Sequence, residues 1–569
     1  MQFITKAVCL LIGVASANNA KREDKRPNIL FMMSDDHALK AISAYDDVHI
    51  KTPNIDRIAD EGMRFDNAFV TNSLCGPARA VVITSKYSHI NGFIQNDNMT
   101  FDETQWTYPK EMQKNGYYTS IVGKYHLNSE PTHGGFDYWN ILKGQGEYYQ
   151  PDFIENGVPI RYNDTHVTDK ITDIVMDVIE NKAPADKPWM MMMHHKAPHR
   201  NQAAPTRYLG HFDNTTFSLP DTYFDTYATR CPASAAAENK VKHQYWSNDL
   251  KLDLGNKPDP GIGGGSHVGP DGFDAKAAYA GFLDRLNEAQ REKWNAFYKP
   301  ISDQFYQKNL TGQALDIEVY QKFMRDYMQS VAAVDESIGK VLDYLEETGQ
   351  IDNTLIVYTA DQGFFLGEHG FFDKRFMYEP TLHTPLLMRY PPMIKAGSVQ
   401  DKMALNLDYG ATFLDLAGIA IPDEVQGESL LPLMNQTAGE EWRKSIYYHY
   451  YEYPGWHMVR KQFGVRTETH KLIHFYGDGY EEFEMFDLVH DADEMINLYN
   501  MPQHAEVQEQ LFAELARLQK VYKDTSPYNL DDTPASVYSE DIKEEWLKTK
   551  INMVMQNMEL IDDEEKFIV

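Results

Sequence analysis

Cysteine is scarce in this sequence, with three among 569 residues, at Cys9, Cys75 and Cys231. That excludes a fold stapled together by disulfides and a zinc site built from cysteine clusters. Positive charge is also short: 54 Lys and Arg stand against 84 Asp and Glu, for a net charge of -30. Such an acidic chain is not a nucleic-acid binder, because phosphate contacts need a basic surface. An anionic ligand would have to be drawn in by a local basic pocket and not by the overall field. After the N-terminal segment no apolar run is long enough to span a bilayer. The glycine run Gly261-Ile262-Gly263-Gly264-Gly265 lacks the Gly-Lys-Ser/Thr ending that holds a nucleotide phosphate, so it reads as a flexible loop.

A chain of this length can build a large core and is expected to fold as one big domain plus a smaller one. Met1 to Ala17 combines Lys6, the apolar run Ala7–Val14 and the small triplet Ala15-Ser16-Ala17. It reads as a secretory signal peptide, which places the mature protein in the periplasm or outside the cell. Cys75 and Cys231 then remain, either bridged to each other or free.

Apolar, β-rich runs recur at Ile29–Met33, Thr119–Val122, Trp189–Met193, Leu355–Thr359 and Pro385–Met388, with helical patterns between them. This order predicts an α/β domain, a mostly parallel sheet covered on both faces. The clearest helix is Leu315–Leu345, with an apolar stripe from Tyr320 to Leu345 and Gly349 beyond its end. Residues 26–440 form the expected catalytic domain, with an insertion at about 200–310 that could wall the site. Residues 441–569 form a C-terminal subdomain and an acidic tail. In it Ile446–Tyr453, Phe463–Arg466, Lys471–Phe475 and Glu482–Leu488 read as a small antiparallel sheet, followed by a helix at Ala505–Tyr522.

Ligands of open α/β sheets bind beyond the carboxyl ends of the strands. The first strand ends in Ser34-Asp35-Asp36-His37 and Leu355–Thr359 runs into Ala360-Asp361-Gln362-Gly363. Each pair alone is an ordinary turn or cap. Together, three carboxylates and an amide oxygen suit a hard divalent cation, Ca²⁺ before Mg²⁺. Cys75-Gly76-Pro77-Ala78-Arg79 opens a short apolar helix, with Cys75 at its cap, Pro77 in its first turn and Arg79 about one turn on. A helix start offers free N–H groups to an anion. A thiolate is a poor ligand for a hard ion, and this tension points to a chemically altered cysteine.

Cys75-Gly76-Pro77-Ala78-Arg79 with Thr84 resembles the Cys-x-Pro-x-Arg motif of the type I sulfatases, in which the cysteine is oxidised to Cα-formylglycine. Ser85 stands where many members have glycine, a departure expected to affect only local helix packing. The resemblance covers nearly the whole mature chain, and it implies an alkaline-phosphatase-like fold and one calcium ion held by Asp35, Asp36, Asp361, Gln362 and the modified Cys75. Gln362 stands where Asn is commoner. Gly123-Lys124-Tyr125-His126 resembles the family's Gly-Lys-x-His, which gives Lys124 to the sulfate and His126 to the formylglycine hydroxyl. Ala197-Pro198-His199 places His199 at the ester oxygen, and Gly367-Glu368-His369-Gly370 leads to Lys374, the second sulfate-binding lysine. Arg79 completes the implied catalytic set. His37, His194, His195 and His369 are left as packing or supporting residues. Three carboxylates exceed the charge of calcium, so Arg79, Lys124, Lys374 and a protonated histidine are expected to offset them.

The segments around His199, Lys374 and Tyr451-Glu452-Tyr453-Pro454 look most like exported bacterial sulfatases that remove 6-O-sulfate from N-acetylglucosamine. By position Asp373, Arg375 and a sheet histidine, His457, would bind the sugar hydroxyls. The expected partners are a sulfated oligosaccharide or polysaccharide, attacked from its end, and the enzyme that generates formylglycine. Three other readings stay open: a sulfatase for algal ulvan or carrageenan, a phosphonate or phosphate ester hydrolase of the same superfamily, and a sulfated-glycan binder with unmodified Cys75.

Overall fold

The computed structural model describes residues 26–257, 259, 273–477 and 479–525. The expected leader, the glycine run at 261–265 and the tail beyond 525 lie outside the described residues.

The core is a ten-stranded sheet. From one edge to the other its strands are Ser398–Gln400, Met63–Phe65, Leu386–Arg389, Thr354–Ala360, Asn28–Asp35, Trp189–Pro198, Tyr118–Gly123, Tyr138–Leu142, Asp152–Glu155 and Val158–Arg161. The five strands from Thr354–Ala360 to Tyr138–Leu142 run parallel. Leu386–Arg389, read in sequence as one more strand of that kind, pairs antiparallel with Thr354–Ala360.

Asn28–Asp35 is buried along its whole length, as a strand covered on both faces must be. Alternate residues feed two cores. Leu30 and Met32 pack with Val334, Ile338 and Val341 of the long helix Gly312–Glu347. Ile29, Phe31 and Met33 pack with Tyr409 and Phe413 of the helix Asp408–Leu416 and with Val82 and Ile83. Each such fully buried side chain contributes about 1.5–3 kcal/mol. The long helix follows its predicted stripe, and the residues from Tyr320 to Leu345 named by that stripe are buried.

The second sheet holds Ser445–Tyr450, Lys461–Thr467, His470–Gly477 and Tyr480–Asp487, all antiparallel, backed by the helix Ala505–Val521. Its first strand stops at Tyr450, three residues before the predicted end, and the chain then turns through Glu452 toward the main sheet. Tyr448 Oη donates to the Arg375 carbonyl at 2.8 Å, and Tyr378 Oη donates to Glu484 at 2.7 Å. These bonds seat the second sheet against the segment that carries Lys374.

Candidate active site

Four neighbouring parallel strands end at one rim. Asn28–Asp35 delivers Asp35 and Asp36, Thr354–Ala360 delivers Asp361 and Gln362, Trp189–Pro198 delivers His199, and Tyr118–Gly123 delivers Lys124 and His126. The helix Cys75–Thr84 starts at the same rim, with Leu74 and not Cys75 as its cap, one residue earlier than predicted. Cys75 Sγ lies 3.5 Å from Asp35 Oδ1. Asn96 Oδ1 accepts the Gly76 N–H at 3.0 Å, so one of the free donors at this helix start is already engaged. Nothing in the local sequence marks Asn96 for that role.

Carboxylate oxygens of Asp35, Asp36 and Asp361 lie within 4.8 Å of one another, and all three residues are buried. Arg79 donates to Asp361 Oδ2 through Nε at 3.1 Å and Nη2 at 2.7 Å, and through Nη1 to the Lys124 carbonyl at 2.7 Å. Lys124 Nζ pairs with Asp35, and Lys374 Nζ bridges both oxygens of Asp36 at 2.6 and 2.8 Å. Burial opposes ionisation of Asp35, yet the charges of Lys124, Arg79 and Lys374 outweigh it and hold its carboxyl well below the usual range. Asp36 goes the other way. Burial, resisted by Lys374 and reinforced by Asp35, Asp373 and Asp361, pushes it up to about 8.

This charge pattern fits a bound cation, which would relieve the repulsion that raises Asp36. The amide adds an independent sign. Gln362 Oε1 is buried with no partner among the described residues, while Nε2 donates to Asp36 Oδ1 at 2.6 Å. Turning the amide over gives up that bond and aims the oxygen at the carboxylates, an arrangement favourable only with a cation between them. In that orientation the four residues offer hard oxygen donors only.

Burial, then the Asp35 charge, pushes the Cys75 thiol up, so it stays protonated and is a poor nucleophile or ligand as it stands. Cys231 is also free and buried, so the two cysteines are not bridged. His199 Nδ1 faces the Arg200 carbonyl at 2.7 Å, and Nε2 is 3.8 Å from Asp36 Oδ2. Burial and Lys124 hold its pKa well below the ordinary imidazole value, so the protonated histidine expected to offset the carboxylates is neutral here. His126 is also held neutral, first by burial and then by Lys124 and Arg79, and its Nδ1 has no partner among the described residues.

A cavity of about 990 Å³ opens over these groups and is lined by Cys75, His126, His199 and Lys374 together with Asp373, Arg375 and His457. Asp373 is the hub of the second group: its carboxylate lies 3.1 Å from Arg375 Nε, 3.4 Å from Lys374 Nζ and 3.5 Å from His457 Nε2. His457 does not sit in the C-terminal sheet as expected. It occupies the turn Trp456–Met458 between the first two strands, where φ of +73° swings it toward Asp373. Sequence reasoning gave no role to Glu452 and Tyr450, which receive Arg375 Nη1 at 2.5 and 3.0 Å and fix the guanidinium. Part of the 200–310 segment forms a wall of the cavity, through Arg200, Asn248, Phe282 and Arg285. Of the four histidines set aside, His37 bonds Tyr358, His194 the Lys124 carbonyl, His195 Ser337, and His369 pairs with Asp225.

Ser85 closes the helix with φ of +49°, the left-handed region that favours glycine. The departure at this position is therefore one of backbone strain, and not of side-chain packing alone. Its buried Oγ also lacks a partner.

Known proteins resemble this chain along most of its length. The sulfatase family model matches residues 27–419, and the model of the N-sulphoglucosamine sulphohydrolase C-terminal region matches residues 367–521. An N-acetylglucosamine-6-O-sulfatase of Bacteroides thetaiotaomicron is 45% identical over 516 residues, which are 90% of this chain and 89% of that protein. The human N-acetylglucosamine-6-sulfatase is 25% identical over 78% of this chain and 69% of its own length. A solved structure described as a complex with its substrate D-glucosamine-2-N,6-O-disulfate superposes with a TM-score of 0.82 at 44% identity, covering 88% of this chain and 99% of that one. The strand-end carboxylates, the cysteine at the helix start and these matches have one common account: the chain belongs to the sulfatase family.

Proposed function

We propose that this chain hydrolyses the 6-O-sulfate ester of N-acetylglucosamine or a closely related glucosamine at the end of a sulfated glycan. The single observation that carries this reading is one cavity lined by two groups of side chains, an anion-receiving cluster around Cys75 and a hydroxyl-reading cluster around Asp373. The 45% identical relative that acts on the same ester supports the choice of sugar.

Asp35, Asp36, Asp361 and Gln362 would hold a calcium ion, with position 75 oxidised to formylglycine as a fifth ligand. When present, the ion supplies positive charge to the sulfate oxygens and the hydrated aldehyde supplies a nucleophilic oxygen. The chain's own residues do the rest. Arg79, bound to Asp361 and to the Lys124 carbonyl, keeps the carboxylate and the lysine backbone in register. Lys124 and Lys374 hold Asp35 and Asp36 of the cluster and would place two ammonium groups where sulfate charge develops. His199, with Nδ1–H turned to the Arg200 carbonyl, presents an unprotonated Nε2 to the departing sugar oxygen and must first gain a proton to donate one, whereas Lys374 can donate as it stands. His126 presents an unpartnered nitrogen that can accept a proton from position 75. Asp373 accepts from sugar hydroxyls while Arg375 and His457 donate to them, a combination that reads both sides of a hydroxyl. Export and dependence on a formylglycine-generating enzyme belong to the same proposal.

Turnover of glucosamine and galactose monosulfates carrying the ester at different positions tests the substrate. The 6-O-sulfated N-acetylglucosamine is the expected preferred substrate. Arg375→Ala and His457→Ala are expected to lower kcat/KM on it by about 10- to 1,000-fold, the scale of one or two hydrogen bonds to charged groups. Equal rates on all positional isomers, or faster turnover of aryl phosphonates than of any sulfate, would reject the reading.

A further inference from the structure

Lys196 is a buried cation that the catalytic arrangement leaves without a task. It lines the cavity at the end of the strand Trp189–Pro198 and is 5% exposed. An ammonium carries three N–H donors. Among the described residues its one acceptor is the Gln145 carbonyl, at 3.2 Å, and its Nζ lies 4.9 Å from the centre of the Tyr148 ring. The other cations described at this rim each have a carboxylate: Arg79 has Asp361, Lys124 has Asp35, Lys374 has Asp36, the half-buried Arg200 has Asp249 at 2.5 Å, and Arg375 has Glu452. Burial, aided by Lys124, lowers the Lys196 pKa to about 8 against the weaker pull of Asp35, Glu147 and Asp36. A charge kept out of water with so little compensation costs free energy unless an anion joins it. Gln145 and Glu147, its neighbours along the cavity wall, are exposed, so this side of the cavity opens toward solvent.

We infer that Lys196 is an anion subsite for a second negative group on the glycan, beyond the ester that is cleaved. This rests on the 6-O-sulfatase reading for the sugar it serves, but it is a statement about binding and can be read without turnover. The shared chemistry is an oxyanion that brings the missing acceptors. Two sources supply it: a second sulfate on the same glucosamine, or the carboxylate of an adjoining uronic acid. The subsite makes the enzyme prefer doubly charged termini, and the preference enters through affinity.

Calorimetric titration of the Cys75→Ala protein with three ligands tests the inference. They are N-acetylglucosamine 6-sulfate, glucosamine 2-N,6-O-disulfate, and a disaccharide joining 6-sulfated N-acetylglucosamine to glucuronic acid. At least one doubly charged ligand is expected to bind about tenfold tighter than the monosulfate, the scale of one charge-assisted bond. Which of them does so identifies the source. Adding Lys196→Gln is expected to bring that ratio close to one, and Lys196→Arg to restore most of it. A ratio that Lys196→Gln leaves intact, or equal weakening of all three ligands, overturns the inference, the latter because it assigns the lysine to the sulfate common to all. The 6-O-sulfatase reading fails separately, if the wild-type protein binds these ligands and releases sulfate from none.

Discussion

Several residues that the site depends on adopt left-handed backbone: Asp36 at φ +60°, His126 at +55°, Asp373 at +71°, Arg375 at +91° and His457 at +73°. Each costs on the order of 1–3 kcal/mol and persists where the surrounding contacts over-determine it. Arg375 illustrates how, since Asp373, Tyr450 and Glu452 hold its side chain from three directions. Ser85 has the same strain with no such return. Ser85→Gly is therefore expected to raise stability by about 1 kcal/mol, through relief of the left-handed penalty and loss of an unpartnered hydroxyl, offset in part by glycine's larger unfolded-state entropy. Chemical denaturation measures this, and a lower midpoint would contradict it. At this scale the sequence was readable where chemistry is local. Asp35-Asp36 and Asp361-Gln362 stand out because oxygen-bearing side chains follow directly on apolar strands, whereas Lys124 is legible only through the family resemblance. Glu452, Tyr450 and Asn96 do not stand out, because their partners Arg375 and Gly76 are brought to them by tertiary packing between distant segments.

Strands and helices show a parallel division. The five expected runs of the main sheet are strands, and the four of the second sheet as well, because buried apolar runs bounded by turns have few other uses. Strand direction is a different matter: Leu386–Arg389 is buried throughout, and such a run carries no alternation from which to tell parallel from antiparallel. Helix ends hold surprises of their own. His166 caps the helix Val167–Asp177, with Nδ1 accepting the Thr168 N–H at 3.2 Å and Nε2 facing the Ala203 carbonyl at 2.8 Å. Both contacts together require the neutral ring, and burial, only partly resisted by the Ala203 bond, lowers its pKa from 6.5 to about 4. The folded-state value lies below the unfolded one, so the unfolded chain takes up the proton first. Stability from this cap is complete above about pH 6.5 and declines as the pH falls toward 4, by about 3 kcal/mol in all. His166→Asn keeps a capping oxygen without the titration. It is expected to shrink the drop in Tm between pH 7 and pH 4.5, and an unchanged drop would sink the assignment.

For the whole molecule, a net charge of -30 must coexist with the capture of an anion. The fold resolves this by concentrating cations at one end of the sheet, where Arg79, Lys124, Lys196, Lys374 and Arg375 are all buried within or beside one cavity. The opposing carboxylates Asp35, Asp36 and Asp361 lie at or just beyond the ends of two strands at the centre of the core. A cation held there would tie catalytic competence to global stability. Chelation of calcium is expected to lower Tm by on the order of 2–5 °C and calcium, once restored, to reverse it. Insensitivity to chelator would remove the ion from the account.

The central claim is that position 75, in an oxidised form, is the nucleophile of a sulfate ester hydrolase. Mass spectrometry of the Cys75 peptide from protein that releases sulfate from N-acetylglucosamine 6-sulfate, with Cys75→Ala run beside it, is the most direct test. The account predicts a peptide lighter by about 18 Da, from exchange of SH and H for oxygen, and no sulfate release by the variant. An unmodified thiol in fully active protein, or full activity in Cys75→Ala, would contradict it.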